Sequence, residues 1–502
     1  MATGINHKSL SSYGQILRST AQIGGSTVVS IIFGVIRNKV IAVLLGPSGV
    51  GLAGLYIAIA EFSQSLAGLG ISSSGVRQIA EAAGTGDDRR IELTATILQR
   101  TSLVLGVVGA MLLLLLAEPV AAFTFGSHQG AAGVALLSIA VLFRSVAGGQ
   151  LALIQGLRRI TDLAFVTMLS AFFSTAAGIL LIYLFREQGI VPSLIATAVI
   201  STCTSWRYSR KAGIRTTKVS LAQLKPEVFS LLQLGLAFMT SGLLMVGTAY
   251  AIRIIVLHYS GIVAAGFYQA AWTIGGLYTG FLLQSMSADF YPRLTAAASD
   301  DPECNRLVNE QAQISMLIAG PGVIATLTFA PLVMTIFYTA EFSSAITLLR
   351  WLCLGMMLRV IAWPMGFVIL AKGARIAFFW TEIAAAIVHV GVAWPLVAYT
   401  DVNGAGIAFL VLYIWHSILV YVIARRLSGF RWSTANRTLG LVFLPLAGAV
   451  FLGFYILPFW IAMTAGLVAM AISGLYSLRT LLAIASPEFL PSPLRPLLAR
   501  FI

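Results

Sequence analysis

The sequence predicts an all-α integral membrane protein of about fourteen transmembrane helices, in two pseudo-two-fold-related six-helix lobes plus two C-terminal helices. Three observations carry that prediction. The 502 residues are 58% hydrophobic and only 10% charged, with a mean hydropathy of +0.91, far outside the range of a soluble domain. Apolar windows of about 20 residues, each enough for the roughly 30 Å hydrocarbon core, recur without the period-two alternation of barrel strands. Lysine and arginine gather in every second loop, which sets the orientation of a helical membrane protein.

Residues 1–14 are polar, and the apolar run behind them is too long for a signal h-region and lacks a cleavage pattern. The first helix, at 17–45, is therefore expected to stay in place. Further helices at 50–74, 95–117, 131–155, 163–185 and 188–206 complete an N-terminal lobe over 1–206. The longest loop, 207–228, is basic and polar and reads as a cytoplasmic linker. Helices at 229–258, 262–288, 311–336, 344–371, 376–399 and 403–424 form a C-terminal lobe over 229–424. Two extra helices, 437–457 and 459–482, are separated only by Pro458, and 483–502 is a cytoplasmic tail. All loops are short, so no soluble domain is inserted.

With the N-terminus in the cytoplasm, 25 of the 32 lysines and arginines lie on that side, six lie within the membrane, and only Arg186 falls in an outer loop. So lopsided a split supports both this orientation and an even helix count, with the C-terminus also cytoplasmic. The net charge of +14 is then topology, and nucleic acid is not expected as a partner. Cys203, Cys304 and Cys353 are far apart and read as buried small hydrophobes. His258, His389 and His416 are scattered, so neither a metal nor a cofactor is expected.

The two halves resemble each other. An offset of 212 sets Gly49–Ala58 against Gly261–Ala270 with five identities, and an offset of 217 sets Gly156 on Gly373 and Arg158 on Arg375. Small residues at such places allow close helix packing. Both halves start from the cytoplasm and hold six helices, so the repeats are parallel rather than inverted.

Six cations sit inside the apolar windows: Arg37, Lys39, Arg144, Arg253, Arg350 and Arg359. A charge at mid-bilayer depth costs roughly 2.5–3.5 kcal/mol even on lenient scales, so such residues normally face a wet cavity. Arg37 and Arg253 are 216 residues apart, and Arg144 and Arg359 are 215 apart. A duplicated bundle with a positive interior suits an anionic cargo, because the arginine fork binds two phosphate oxygens at once. A second reading stays open for Arg37, Lys39, Arg253 and Arg350, which lie near helix ends and can snorkel to head groups. Glu61 and Glu382 are the acids most clearly at membrane depth, as ion carriers or as structural partners of the arginines. Trp272, Tyr278, Trp363 and Trp394 can stack on sugar rings, although interfacial or packing roles are the usual use of such residues. No nucleotide loop, acid pair or Cys/His cluster is present, and an enzyme is not expected.

The run Lys39-Val-Ile-Ala-Val-Leu-Leu-Gly-Pro-Ser-Gly-Val-Gly51 resembles the first helix and turn of the Wzx-type oligosaccharide flippases. Gln155-Gly-Leu-Arg158, Phe290-Tyr-Pro-Arg-Leu294 and Arg350-Trp-Leu…Arg359…Ile369-Leu-Ala-Lys372 are similar to later landmarks of that family, in the same order. The resemblance covers about residues 15–425 and is nearest to the translocases of O-antigen and enterobacterial common antigen. It implies the multidrug/oligosaccharidyl-lipid/polysaccharide exporter fold and the alternating-access flipping of an undecaprenyl-diphosphate-linked oligosaccharide in the bacterial inner membrane. It also implies diphosphate binding by Lys39, Arg253 and Arg359, with a polysaccharide polymerase and a chain-length regulator as neighbours. The protein is expected to act as a monomer among phospholipids. One departure concerns the tenth helix, where relatives tend to carry an acid beside the glycine and this chain has Gly355-Met-Met. Any proton-coupling role of that acid is not carried over. The helices at 437–482 exceed the twelve-helix members, and the related peptidoglycan-precursor flippase uses such a pair as a lipid groove. The rival readings are a drug/cation antiporter of the same fold, whose lumen should be acidic, and a membrane polymerase or glycosyltransferase, which needs catalytic residues on sizeable outer loops.

Overall fold

A computed structural model describes the backbone at residues 7–214, 217 and 221–484. The expected tail beyond 484, the first six residues and Arg215 and Lys218 of the linker lie outside these residues. Side chains are not described at 7–23, 221–226, 237, 238, 241, 278, 279, 281, 282 and 284–289.

The chain is all-helical among the described residues. In chain order the helices are α1 (His7–Gly68), α2 (Ile71–Gly84), α3 (Asp88–Leu115), α4 (Ala117–Phe125), α5 (Ala131–Gly156), α6 (Ile160–Phe185) and α7 (Ile190–Lys211). They continue with α8 (Leu221–Ala296), α9 (Asp301–Phe337), α10 (Ala345–Ala371), α11 (Arg375–Thr400), α12 (Asn403–Ser428), α13 (Thr434–Ile456) and α14 (Phe459–Ile484). Eleven helical stretches among the described residues are long and apolar enough to cross a membrane. Three of these eleven contain a break. α1 breaks at Gly46 (φ 66°, ψ −167°), followed by Pro47, which has no amide hydrogen to give to the preceding turn. α8 breaks at Gly261 (φ 82°, ψ 178°). α6 and α7 meet at a 3₁₀ turn, Arg186–Gly189, with Arg186 at φ 53°.

Local chemistry fixes the ends. Asp87 caps α3 by accepting from the Arg89 amide, and Asp300 caps α9 by accepting from the Glu303 amide. Ser433 does the same for α13 through the Asn436 amide. α4 and α12 end on left-handed glycines, Gly126 and Gly429.

The turns establish the internal repeat at a spacing of 215 residues. Gly46 and Gly261, the two breaks, are 215 apart. After α5, Arg158 takes a positive φ, and its amide and those of Arg159 and Ile160 bond to Gln155, Ile154 and Arg158 carbonyls. After α10, Gly373 takes the positive φ, and the Gly373, Ala374 and Arg375 amides bond to Leu370, Ile369 and Gly373 carbonyls. Each partner is again 215 residues on. Arg186 and Asp401 repeat the same conformation after α6 and α11. A Cβ on Gly189 would sit 2.4 Å from the Leu181 carbonyl oxygen, and one on Gly404 2.3 Å from that of Leu396. The expected local matches are therefore corrected: Gly261 corresponds to Gly46 rather than Gly49, and Gly373 to Arg158 rather than Gly156. Identity matching is drawn to small packing residues, whereas the turns keep their backbone and change their side chains. Arg144 and Arg359 stay in register. Arg37 and Arg253 do not, because Asn38 is the counterpart of Arg253, and one residue turns a helical side chain by about 100°.

The chain divides into two compact units, Met1–His258 and Tyr259–Ile502. The repeat restarts with α8, yet the first limb of α8 belongs to the first unit. Its Leu231 is fully buried with Ile71, Ile79 and Leu98, and its Tyr250 lies in the cluster of Tyr56, Ile59 and Leu137. In the second unit, Phe290, Val308, Met365, Val368 and Phe430 form a core. α13 and α14 lie against α9 at small residues: a Cβ on Gly320 would sit 2.5 Å from the Phe443 ring, and one on Gly466 2.5 Å from the Thr328 hydroxyl. Asn436 Nδ2 also donates to the Asn309 carbonyl at 2.8 Å.

Candidate functional site

In the first unit, Arg37, Lys39 and Arg253 occupy the limbs of α1 and α8 that precede the breaks. Arg37 is half-buried, and its stem passes α6 so closely that a Cβ on Gly178 would meet Arg37 Cδ at 3.8 Å. Lys39 is half-buried, two residues further on. Arg253 is buried, and its Nη1 donates to the Ala249 carbonyl one turn back at 2.9 Å. Arg144 lies mid-helix on α5, half-buried and within electrostatic reach of Glu61, which is exposed on the second limb of α1.

The second unit builds a denser site. Arg359 and Trp363 sit one turn apart on α10, Glu382 and His389 two turns apart on α11, and Tyr413 and His416 nearly one turn apart on α12, so each pair shares a face of its helix. The Arg359 guanidinium carbon is 5.2 Å from the Trp363 ring centre and 5.9 Å from that of Tyr413, cation–π distances in each case. Glu382, His389 and His416 all lie within electrostatic reach of Arg359. Phe409 closes the cluster at 4.9 Å from Tyr413 and 5.8 Å from His389. Arg359 Nε, Trp363 Nε1 and His416 Nδ1 are buried without hydrogen-bond partners among the described residues. Buried polar atoms usually find a partner, so three unpaired ones in one cluster are available to a ligand. This set offers a fixed cation, an aromatic wall and spare donors, which suits an anion carrying an apolar or sugar face.

Arg350 is placed differently. Its Nε donates to the Leu327 carbonyl of α9 at 3.2 Å, and its guanidinium carbon lies 3.7 Å from the Phe454 ring centre on α13. It joins three helices at once. Of the expected ring candidates, Trp272 stacks on Tyr268, and Trp394 Nε1 donates to the Tyr259 hydroxyl at 2.6 Å. The side chain of Tyr278 lies outside the described residues.

Sequence reasoning missed two features. Tyr413 was hidden in an apolar run. A cavity of about 200 Å³ in the first unit is lined by Gln64, Ser65, Ser72, Ser73, Ser102 and Ser145, with glycines and Ile71, Leu105 and Met239. The run Ser72-Ser73-Ser74 at the end of the second expected helix was its sequence signal.

The chain is similar to known proteins along most of its length. The profile of the family described as polysaccharide biosynthesis protein matches residues 40–347. The lipid III flippases of Escherichia coli (strain K12) and Shigella flexneri are each 24% identical over 428 residues, spanning 82% of this chain and 99% of theirs. Among solved structures, the lipid II flippase MurJ in an inward closed conformation has a TM-score of 0.70 at 13% identity, over 93% of this chain and 100% of that one. An inward-facing multidrug resistance MATE family transporter of the MOP superfamily has a TM-score of 0.65 at 18% identity, over 80% of this chain and 95% of that one. The protein shares the fold of these solved structures and belongs to the polysaccharide biosynthesis protein family.

Proposed function

We propose that the protein is a flippase that moves an undecaprenyl-diphosphate-linked oligosaccharide from the cytoplasmic to the periplasmic leaflet by alternating access. The observation that carries this reading is the Arg359 guanidinium, held mid-helix against Trp363 and Tyr413 with its Nε unpartnered. Its register partner Arg144 supplies the matching cation in the first unit. Each guanidinium is a phosphate-binding group of its own unit, and in the first unit Lys39, Arg37 and Arg253 add further cations. The lipid tail stays in the bilayer, and the sugar head is spared the dehydration that hydrocarbon would demand.

Family membership and similarity to the lipid III flippases support the cargo class. A basic interior disfavours the antiporter reading, since a cationic drug needs acids. For topology we take both limbs of each broken helix as crossings, which gives fourteen. The stretch Gly24–Gly68 alone has 45 residues, about 68 Å of helix and more than twice the hydrocarbon thickness. The charge distribution supports an inner-membrane protein with cytoplasmic termini. Glu382 and Glu61 are the ion-coupling residues, and the protein works as a monomer.

The test is complementation of a flippase-null strain with Arg144→Ala and Arg359→Ala, following membrane expression and accumulation of lipid-linked glycan. A hydrogen bond to a charged group is worth about 1.5–3 kcal/mol, so each variant should lose about 10- to 100-fold of glycan display at normal expression. Wild-type display by both variants would overturn the assignment.

A further inference from the structure

The cavity of the first unit has no ionisable side chain in its lining. It therefore differs in chemistry from the arginine sites. Ser102 is only 4% exposed, lines the cavity, and keeps its hydroxyl without a partner. Ser145, 8% exposed, spends its proton on the Val141 carbonyl at 2.8 Å and retains oxygen lone pairs for a donor. Glycines let the serines approach: a Cβ on Gly149 would sit 2.4 Å from the Ser102 hydroxyl, and one on Gly148 2.7 Å from that of Ser72.

The repeat supplies a control within the same molecule. At the 215-residue spacing, Gly68 corresponds to Leu283, Ser145 to Val360 and Gly148 to Trp363. In the second unit Leu283 and Val360, at 6% and 0% exposure, cluster with Ala319, and the partly buried Trp363 packs against them. At the Gly68 and Ser145 positions of the lining, the second copy therefore carries larger apolar side chains among the described residues. Burying an unpartnered hydroxyl costs free energy that an apolar side chain would spare.

We infer that this serine-lined hollow docks a neutral, hydroxyl-rich group, a single sugar ring of the lipid-linked glycan. The inference rests on the flippase reading above. A volume of about 200 Å³ equals about seven liquid waters and lies below the usual range of drug-sized pockets, so it admits one ring and not a chain. Hydroxyls and the Gln64 amide offer both donors and acceptors, as sugar hydroxyls require, whereas a diphosphate would find no compensating charge.

The full-length protein in lipid nanodiscs tests this with two probes, undecaprenyl diphosphate and undecaprenyl diphosphate bearing one N-acetylhexosamine. Wild type should bind the sugar-bearing lipid more tightly. Ser102→Ala and Ser145→Val should each weaken that lipid about five-fold and leave the bare diphosphate lipid unchanged. Ser102→Ala removes a single oxygen, and an unchanged melting temperature confirms its fold. Equal affinity of wild type for the two lipids, or equal effects of the variants on both, overturns the pocket and leaves the flippase reading standing. Failure of wild type to bind either lipid overturns the flippase reading and the pocket with it.

Discussion

Arg144 and Arg359 occupy the same position of a duplicated helix, yet their surroundings have diverged. Around Arg359 stand Glu382, His389, Tyr413 and His416. The residues 215 earlier are Thr167, Ser174, Ala198 and Ser201. Thr167 turns its hydroxyl back to the Leu163 carbonyl of its own helix at 2.9 Å, and Ser174 is buried with its oxygen unpartnered. One arginine is thus set among ionisable and aromatic groups, whereas the equivalent positions of the other copy hold small neutral residues and Arg144 has Glu61 within electrostatic reach. Duplication preserved the charge and the backbone, while the specific chemistry was written separately into each copy. Arg359 reads as the residue whose shape matters and Arg144 as the one whose charge suffices.

Lysine substitution is the sharpest way to break that contrast. Lysine keeps the charge but loses the planar fork and stacks less well on aromatic rings. Arg359→Lys should lower glycan display about ten-fold at unchanged expression, because it forfeits the Trp363 and Tyr413 contacts and, on the proposed function, bidentate phosphate binding. Arg144→Lys should retain most of wild-type display. Equal losses in the complementation assay would show that the two arginines do the same job and that the aromatic setting of Arg359 is packing alone.

The carboxylates sharpen the comparison at a smaller scale. Glu382 is half-buried and within electrostatic reach of Arg359, whereas Glu61 is exposed and within electrostatic reach of Arg144. Opposite charges interact more strongly where solvent is excluded. Double-mutant cycles read by thermal unfolding in detergent should give a coupling of about 1–2 kcal/mol for Arg359→Ala with Glu382→Gln. The cycle of Arg144→Ala with Glu61→Gln should give no more than about 0.5 kcal/mol, in the range of exposed pairs. A larger coupling on the Glu61 side would reverse the ranking of the two sites.

Much of this was legible from composition and spacing. Hydropathy alone marks the helices, because lipid forces every backbone group to be satisfied within its own segment. Arg144 and Arg359 stood out because a charge inside an apolar window carries a cost that no surface charge does. Arg350 carried the same signal and turned out to pin α9, α10 and α13 through Leu327 and Phe454, which shows that the cost can also be met by packing. Gly46 was visible as part of a Gly-Pro turn, but its counterpart was assigned three residues away, since Gly261 has no proline after it. The serine cavity escaped notice for a plainer reason. Its residues come from four separate stretches between Gln64 and Gly242, and serine in an apolar helix often satisfies itself on its own backbone.

The turns after α5 and α10 offer the smallest effect and the cleanest comparison, since both copies hold one residue at positive φ with the same hydrogen bonds around it. The first copy uses Arg158 (φ 55°) and the second Gly373 (φ 68°). A side chain in the left-handed region costs about 1 kcal/mol, whereas glycine reaches it freely. A Cβ on Gly373 would meet nothing within 4 Å, so any penalty there is conformational rather than steric. Gly373→Ala should therefore destabilise the protein by about 1 kcal/mol in thermal unfolding. Arg158→Gly should stabilise it by up to about 0.5 kcal/mol, the relief of the strained φ being partly offset by the greater freedom of glycine in the unfolded chain. If Arg158→Gly instead destabilises, the Arg158 side chain carries an interaction that repays its conformation, and the two turns are alike in backbone only.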